Sequence, residues 1–431
     1  MTERPVTVAV IGYGLRGRDY TRYALLEPGK MQVVALADTD SARLEDGMRR
    51  FSLTRAQLFL SADELLARPR LADIAFITTQ DRQHVPMALK ALKAGYDLLV
   101  EKPVSPDLGE CLKLEETAKR LDRRVTVCHV MRYSRFYRQI KQAIEQNMIG
   151  DVQSIMALEN VGYFHQAHSF VRGNWRKTAD ASPMILAKCC HDFDLLLWLM
   201  DKKCTRVSSF GSLNYFKKEC APKGAALRCL DGCACKDACP YDAEKIYVYN
   251  YPTGILANAW RWPCSAITEH PDADTVYQAL REGPYGRCVF YCDNDAVDHQ
   301  VVNLEFEDRS TASLTMCAFT NSDERTVKVM GTMGDIMGDL STNIITIQPF
   351  GKEKTVIDLN APGETDGHSG GDMSMIGELI DSYRSGRVMQ TALDQSIDSH
   401  VAALAAEESR LNGGKSILLD DFRAACMRAD E

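Results

Sequence analysis

No segment of this 431-residue chain reaches about 18 uninterrupted apolar residues, so it offers no membrane-spanning helix and no membrane is expected as a partner. The opening run, MTERPVTVAVIGYG, carries Glu3 and Arg4 but no apolar stretch of signal-peptide length, and a cytoplasmic location is therefore expected. Lys and Arg form no block. With 51 basic and 59 acidic residues the formal charge is −8, which argues against nucleic acid. No repeat of fixed period is visible, which sets aside repeat architectures. The rest is ordinary: 45% hydrophobic and 26% charged residues, in a chain long enough for two cores.

The first chemical signal is VTVAVIGYGLRGRDYTRYALL, a β-branched run that passes through Gly12, Gly14 and Gly17 into helical spacing. This is G-x-G-x-x-G between strand and helix. The first glycine allows the tight turn, the second lets a pyrophosphate approach the backbone, and the third lets helix pack on strand. A second strand, MQVVALAD, ends at Asp38, 21 residues beyond Gly17, where a carboxylate can accept both ribose hydroxyls. A 2′-phosphate would meet that carboxylate unfavourably, so NAD is favoured over NADP. Arg43 leaves a mixed preference open.

Strand and helix patterns then alternate through LADIAFITT, QHVPMALKALKAG, YDLLVEK, DLGECLKLEETAKRL and RVTVCHV. Such alternation predicts an α/β class with a doubly wound parallel sheet over residues 1–128. The carboxyl edge of that sheet, where ligands of open α/β folds bind, holds Glu101, Lys102 and Pro103. X-Pro bonds tolerate cis, and a cis bond here would aim Lys102 into the crevice.

Together, VIGYGLRG, VVALAD, DRQHVPMALKALKAGYDLLVEKP and CHDFDLLLWL resemble the family of glucose-fructose oxidoreductase, inositol dehydrogenase and MocA (Gfo/Idh/MocA), densely over residues 5–200 and more loosely to about residue 410. The resemblance implies an N-terminal Rossmann domain, 1–128, and a C-terminal α/β domain, 129–431, built on a large, mostly antiparallel sheet. One face of that sheet would cover the nicotinamide; the other would make a homo-oligomer, dimer or tetramer. NAD is the implied cofactor, and a sugar, cyclitol or derivative the implied small-molecule carbohydrate substrate. Lys102 takes the place of the lysine that hydrogen-bonds the reacting hydroxyl, and His191 that of a histidine often assigned as acid/base. Cofactor contacts fall on Gly12, Gly14, Leu15, Arg16, Gly17, Asp38, Arg43, Thr78, Thr79, His84, Glu101 and Lys102.

The run AKCCHDFDLL departs from that pattern. Many relatives have an aspartate four residues before the histidine, where this chain has Ala187 with Lys188 beside it. On a helix Lys188 would lie three residues from His191 and four from Asp192, so it is either a third catalytic group or a surface partner of Asp192. Residues 159–178 mix Tyr163, His165, His168, Arg172 and Trp175, whose faces suit sugar C–H surfaces and whose tips suit hydroxyls. With Arg132 and Asp192 these are the candidate substrate contacts. Arg172 and Arg176 leave room for an anionic sugar.

Fifteen cysteines crowd most densely at about residues 216–245. There Cys229, Cys233, Cys235 and Cys239, spaced C-x3-C-x-C-x3-C, point to a structural thiolate site for zinc, with Cys220, Cys288 or Cys292 as alternative fourth ligands. Residues 201–300 have the length and polarity of a substrate lid or an oligomer arm. Alternating strands then resume, GETDGHSGGDM places His368 and Asp372 before a helix, and SIDSHVAALAAEESRLNGG reads as the last helix. Two functions fit. One is hydride transfer from a secondary hydroxyl to NAD. The other is a redox-neutral, NAD-dependent glycoside hydrolase working by oxidation, elimination, hydration and reduction. The second needs an extra base, for which His165, His168 and Lys188 are candidates.

Overall fold

The computed structural model describes residues 4–257, 262–360 and 370–429. The run Val6–Ile11 forms β1, which joins β2 (Met31–Ala37), β3 (Leu58–Phe59), β4 (Ile74–Ile77), β5 (Asp97–Val100) and β6 (Val125–Val127) in a parallel sheet of order β3-β2-β1-β4-β5-β6. Every residue of β4, β5 and β6 is buried, as expected of strands covered by helices on both faces. The order reverses between β1 and β4, and the crevice at their carboxyl ends is where such sheets bind ligands.

The second sheet contains β7 (Val152–Gly162), β8 (Cys204–Ser212), β9 (His299–Phe306), β10 (Thr311–Thr320), β11 (Glu324–Gly331), β12 (Gly334–Asp339), β13 (Ile344–Pro349), β14 (Thr355–Asp358) and β15 (Ile417–Leu418). Their order is β14-β13-β12-β11-β7-β10-β9-β8-β15. Among the described strands β7 and β10 pair in parallel and the other neighbours antiparallel, so the sheet is mixed but mostly antiparallel. Burial alternates along β10, the period-two pattern of a sheet with one covered face. That face shares a core with Leu195 and Leu199 of helix Cys190–Met200 and with Val401 and Ala405 of helix Leu393–Leu411.

Three features depart from the sequence reading. Helix Gly371–Ser385 returns to the first domain, where its Met375, Ile376, Leu379 and Ile380 share a core with Val8, Val10 and Tyr20. Residues beyond 128 therefore also complete the Rossmann domain. Helix Leu393–Leu411 is not the last: after Gly413 and Gly414 turn the chain with positive φ, β15 adds to β8 and helix Leu419–Ala429 follows. The inserted region has a core of its own, built from Phe216, Tyr247, Val276, Leu280 and Phe290 on Ala167 and Val171, so it is a packed subdomain. Among the described residues, no helix is long and apolar enough to cross a membrane. His368 lies outside the described residues.

Candidate active site

Contact shapes the glycine loop. Gly12 has φ +93°, disfavoured for any side chain, and a Cβ there would stand 2.7 Å from the Thr78 carbonyl oxygen. A Cβ on Gly17 would stand 2.5 Å from the Gly12 carbonyl oxygen, so only glycine lets helix Leu15–Leu26 begin this close to β1. Gly14 is different. It is the N-cap, no side chain caps the helix, and its nearest neighbour on the Cβ side is Arg43 Nη1 at 3.7 Å. The first-turn N–H groups are thus left for an outside acceptor, and the buried Thr79 Oγ1, beside Gly12, has no hydrogen-bond partner among the described residues. This cradle fits a dinucleotide pyrophosphate.

Around it, Thr78 Oγ1 donates to Gly12 O at 2.6 Å, and the His84 ring sits between the carbonyls of Pro103 (2.8 Å) and Thr79 (3.1 Å). Asp38 accepts from the backbone N–H of Tyr13 at 2.7 Å and of Asp40 at 2.9 Å, which fixes its carboxylate at the end of β2. Leu15 is exposed on the first turn. Arg16 runs elsewhere: its Nε lies 2.9 Å from Glu101 and its Nη2 2.8 Å from Asp372. Tyr20 also donates to Glu101. Burial opposes ionisation of Glu101, but Arg16 and Lys102 outweigh it and hold the carboxyl below its ordinary range.

The Lys102–Pro103 bond is cis, and the Lys102 N–H donates to Glu101 at 2.7 Å. From this corner Lys102 Nζ crosses to the second domain and donates to the Ala187 carbonyl at 3.2 Å. Helix Met184–Ala187 ends there and helix Cys190–Met200 begins three residues later, which puts His191 in the first turn, 3% exposed and edge-on to His129 at 5.7 Å between ring centroids.

Beside these groups lies a cluster of charges brought together by β7 and β11. Arg325 contacts Glu159 at 2.7 Å and Asp192 at 2.9 Å, while Lys188 Nζ lies 3.2 Å from Glu159 and 3.8 Å from Asp323. His165 Nδ1 lies 2.8 Å from Asp323. Burial pushes Glu159 up to about 7 against the pull of Arg325. For Lys188 burial works against the charge, but Glu159 and Asp323 outweigh it and hold the ammonium above the ordinary lysine range. Burial and the Lys188 charge keep His165 below the ordinary imidazole range.

The same architecture occurs in known proteins. One family model, described as an oxidoreductase family with an NAD-binding Rossmann fold, matches residues 6–129, and its companion, a C-terminal alpha/beta domain, matches residues 141–417. The chain belongs to the Gfo/Idh/MocA oxidoreductase family. YteT of Bacillus subtilis is 24% identical over 367 residues, covering 81% of this chain and 82% of that protein. An inositol 2-dehydrogenase/D-chiro-inositol 3-dehydrogenase of Lactiplantibacillus plantarum is 24% identical over 212 residues, 49% of this chain and 57% of the relative. The crystal structure of an inositol dehydrogenase homolog complexed with NAD+ from Azotobacter vinelandii superposes with a TM-score of 0.70 at 14% identity, covering 97% of this chain and 98% of the other.

Within this Gfo/Idh/MocA frame the expected substrate residues separate. Tyr163 accepts from Asn250 at 3.2 Å, and His165 packs on Trp262 at 4.6 Å between centroids. His165, 3.5 Å from Lys188 Nζ, borders the region of Lys102 and Lys188, whereas Tyr163 packs on Phe164 and Tyr241. Three others are placed differently. Arg132 is buried in a bidentate pair with Asp194 at 2.7 and 2.6 Å. Arg172, wholly buried, donates to the carbonyls of Arg287 and Tyr241, both at 2.7 Å. His168 is buried against Tyr247 and stacked on Tyr285. Arg132 spends its guanidinium on Asp194 and the Gln390 carbonyl, and Arg172 and His168 are enclosed in the core of the inserted subdomain, so the expectation that they meet substrate is corrected. Trp175 Nε1 donates to Asp81 of the first domain at 3.2 Å, and Asp192 is taken by Arg325 rather than by Lys188. Lys188 is paired with Glu159 and Asp323, which favour its charged form.

The zinc expectation is also corrected. Among the described residues no group of three or more His, Cys, Asp or Glu is arranged to hold a metal. Cys229, Cys233, Cys235 and Cys239 do line one small pocket. However, Cys229 Sγ accepts from Arg172 at 3.7 Å and Cys235 Sγ donates to the Lys223 carbonyl at 3.3 Å, so these two thiols have different partners. Sequence reasoning missed Glu159, Asp323, Arg325, Trp262 and His129. Glu159 begins the 159–178 run, but nothing local connects it to Arg325.

Proposed function

We propose that this chain oxidises a secondary hydroxyl of a sugar, cyclitol or glycoside by hydride transfer to NAD. The observation that carries the reading is Lys102, placed at the carboxyl edge of the first sheet beside the glycine cradle and reaching Ala187 in the second domain. NAD, when bound, supplies the hydride acceptor. The protein must position the carbinol and take its proton as the C–H bond breaks. Lys102 holds the hydroxyl oxygen through its ammonium, which has donors left after the bond to Ala187. His191, in the first helical turn beyond Lys188, takes the proton. Gly12, Gly14 and Gly17 hold the pyrophosphate, and Asp38 holds the ribose. The relatives named for inositol oxidation support a cyclitol or sugar as the substrate class.

A specific observation favours a second reading, the redox-neutral glycoside hydrolase. With His165 Nδ1 donating to Asp323, its Nε2 is left as an acceptor, an extra base for the proton next to a newly formed carbonyl. For assembly, Met156 and Met337 are exposed in one cross-strand row with Lys328, opposite the covered face, which supports self-association through the outer face of the large sheet.

The test uses NAD-loaded enzyme with a panel of inositols, sugars and aryl glycosides, following NADH absorbance and released aglycone together. NADH formed in step with an intact oxidised product supports the dehydrogenase. Aglycone released over many turnovers without net NADH supports the hydrolase. Neither signal on any member, with no NAD binding, overturns both.

A further inference from the structure

A single strap of the inserted subdomain, from Trp262 to Asp272, touches both ends of the crevice. At the substrate end the Trp262 ring lies 4.6 Å from His165 and 5.1 Å from His168 between centroids. At the adenosine end Glu269 accepts from Arg43 Nε at 3.0 Å and from Arg18 Nη2 at 3.2 Å. We propose that Glu269 is a cofactor-specificity residue that disfavours a ribose 2′-phosphate and so enforces the choice of NAD over NADP. The inference rests on the NAD-binding reading above.

The argument concerns where a phosphate would find its counter-charge. Arg43 stands at the end of β2: its Nη1 lies 3.9 Å from Asp38 and 3.7 Å from the Cβ position of Gly14. An arginine at this edge of a Rossmann fold is the group that accommodates a 2′-phosphate. In this chain the guanidinium is already held, by Asp40 at 3.5 Å and by Glu269 at 3.0 Å. A phosphate arriving there would meet the carboxylates of Asp38, Asp40 and Glu269 and would have to displace the last of them. A ribose diol, which needs only acceptors, meets no such obstacle.

Glu269 is not placed there by chance contact of a loose loop. The strap ends in Asp272, which caps helix Ala273–Glu282 in a reciprocal capping box with Thr275, and that helix is anchored in the subdomain core by Val276 and Leu280. Glu269 is about as exposed as Arg43, at 35% against 38%, so solvent screens the pair and the expected effect is about tenfold in affinity rather than thousands.

Binding, measured without substrate, tests this directly. NAD+ and NADP+ are titrated separately into the wild-type protein, into Glu269→Gln and into the double variant Glu269→Gln/Arg43→Gln, with heat or tryptophan fluorescence as the readout. Wild-type protein should prefer NAD+. Glu269→Gln should tighten NADP+ about tenfold while NAD+ moves less than about threefold, and the double variant should lose that gain. An NADP+ to NAD+ affinity ratio unchanged in Glu269→Gln, with tight NAD+ binding retained, overturns the role of Glu269 alone. Wild-type protein that binds neither nucleotide overturns the NAD reading itself.

Discussion

Lys102 Nζ donates to the carbonyl of Ala187 at 3.2 Å, joining the ligand edge of the first domain to the residue before Lys188 in the second. The lysine is held from behind by the chain Lys102 N–H, Glu101, Arg16 and Asp372, whose last member sits on the helix that returns to the Rossmann domain. Its position therefore depends on residues from three distant parts of the sequence.

Replacing Lys102 by Met keeps the stem and removes the donor. The rate of hydride transfer should fall about 10²- to 10⁴-fold, the usual worth of a positioned proton-handling group, while NAD+ affinity stays within about threefold. Single-turnover absorbance with a reactive substrate measures the first and titration the second. An unchanged rate would remove Lys102 from the chemistry.

Gly17→Ala places a methyl where the Gly12 carbonyl oxygen stands 2.5 Å away. The helix must retreat from β1, and NAD+ binding should weaken by more than about tenfold, or about 1.4 kcal/mol. Gly14→Ala, which meets only Arg43 at 3.7 Å within the protein, separates steric conflict with the fold from conflict with the ligand.

Arg132→Ala would leave Asp194 buried without its bidentate partner. Denaturant unfolding should show a loss of about 3–5 kcal/mol. Because Arg132 is spent inside the protein, KM measured at a temperature where the variant stays folded should not rise. A large rise in KM with unchanged stability would restore it as a substrate contact.

Acid should destabilise the fold before most carboxylates titrate. Burial lowers His129, His165 and His168 below the ordinary imidazole range and lowers His400 to about 3. A group whose folded pKa is depressed contributes stability that is present above its unfolded pKa, about 6.5, and is lost as pH falls through the folded value. Glu159, raised by burial to about 7, has the opposite sign between its unfolded value and about 7 and offsets part of that loss. The melting temperature should thus drop between pH 7.5 and pH 5, as calorimetry can measure. His400→Gln, which retains an acceptor for Val104 N–H, should flatten the slope. A flat wild-type profile would contradict these buried neutral imidazoles.

The Rossmann half of the fold was legible because its signals are local. Glycine spacing, a β-branched run ending in Asp38 and strand-helix alternation each reside within a few tens of residues, and β1, β2, β4, β5 and β6 form where those patterns lie, whereas the two-residue β3 carried no such signal. Lys102 and His191 were legible through a family resemblance that the matches over residues 6–129 and 141–417 bear out at the level of family. Residues 159–178 were legible only as a mixture. Spacing could not tell His165, which faces Asp323, from His168 three residues on, which is buried against Tyr247. The cysteine run was ambiguous for a related reason: dense thiols hold a metal only when their geometry converges, and although four of them line one pocket, no metal-holding group forms among the described residues.

By itself, then, the sequence determined the class of fold, the nucleotide edge and the lysine at that edge, because each follows from residues close together in the chain. Only the tertiary structure decided which polar groups remain for chemistry. Arg325 neutralises Asp192 across 133 residues, and Glu159 meets Arg325 and Lys188 because β7 pairs with β11. Glu269 reaches Arg43 across 226 residues through a subdomain whose core no local pattern revealed. Charges pair by distance in space, and here that distance is set by sheet pairing and core packing rather than by position along the chain.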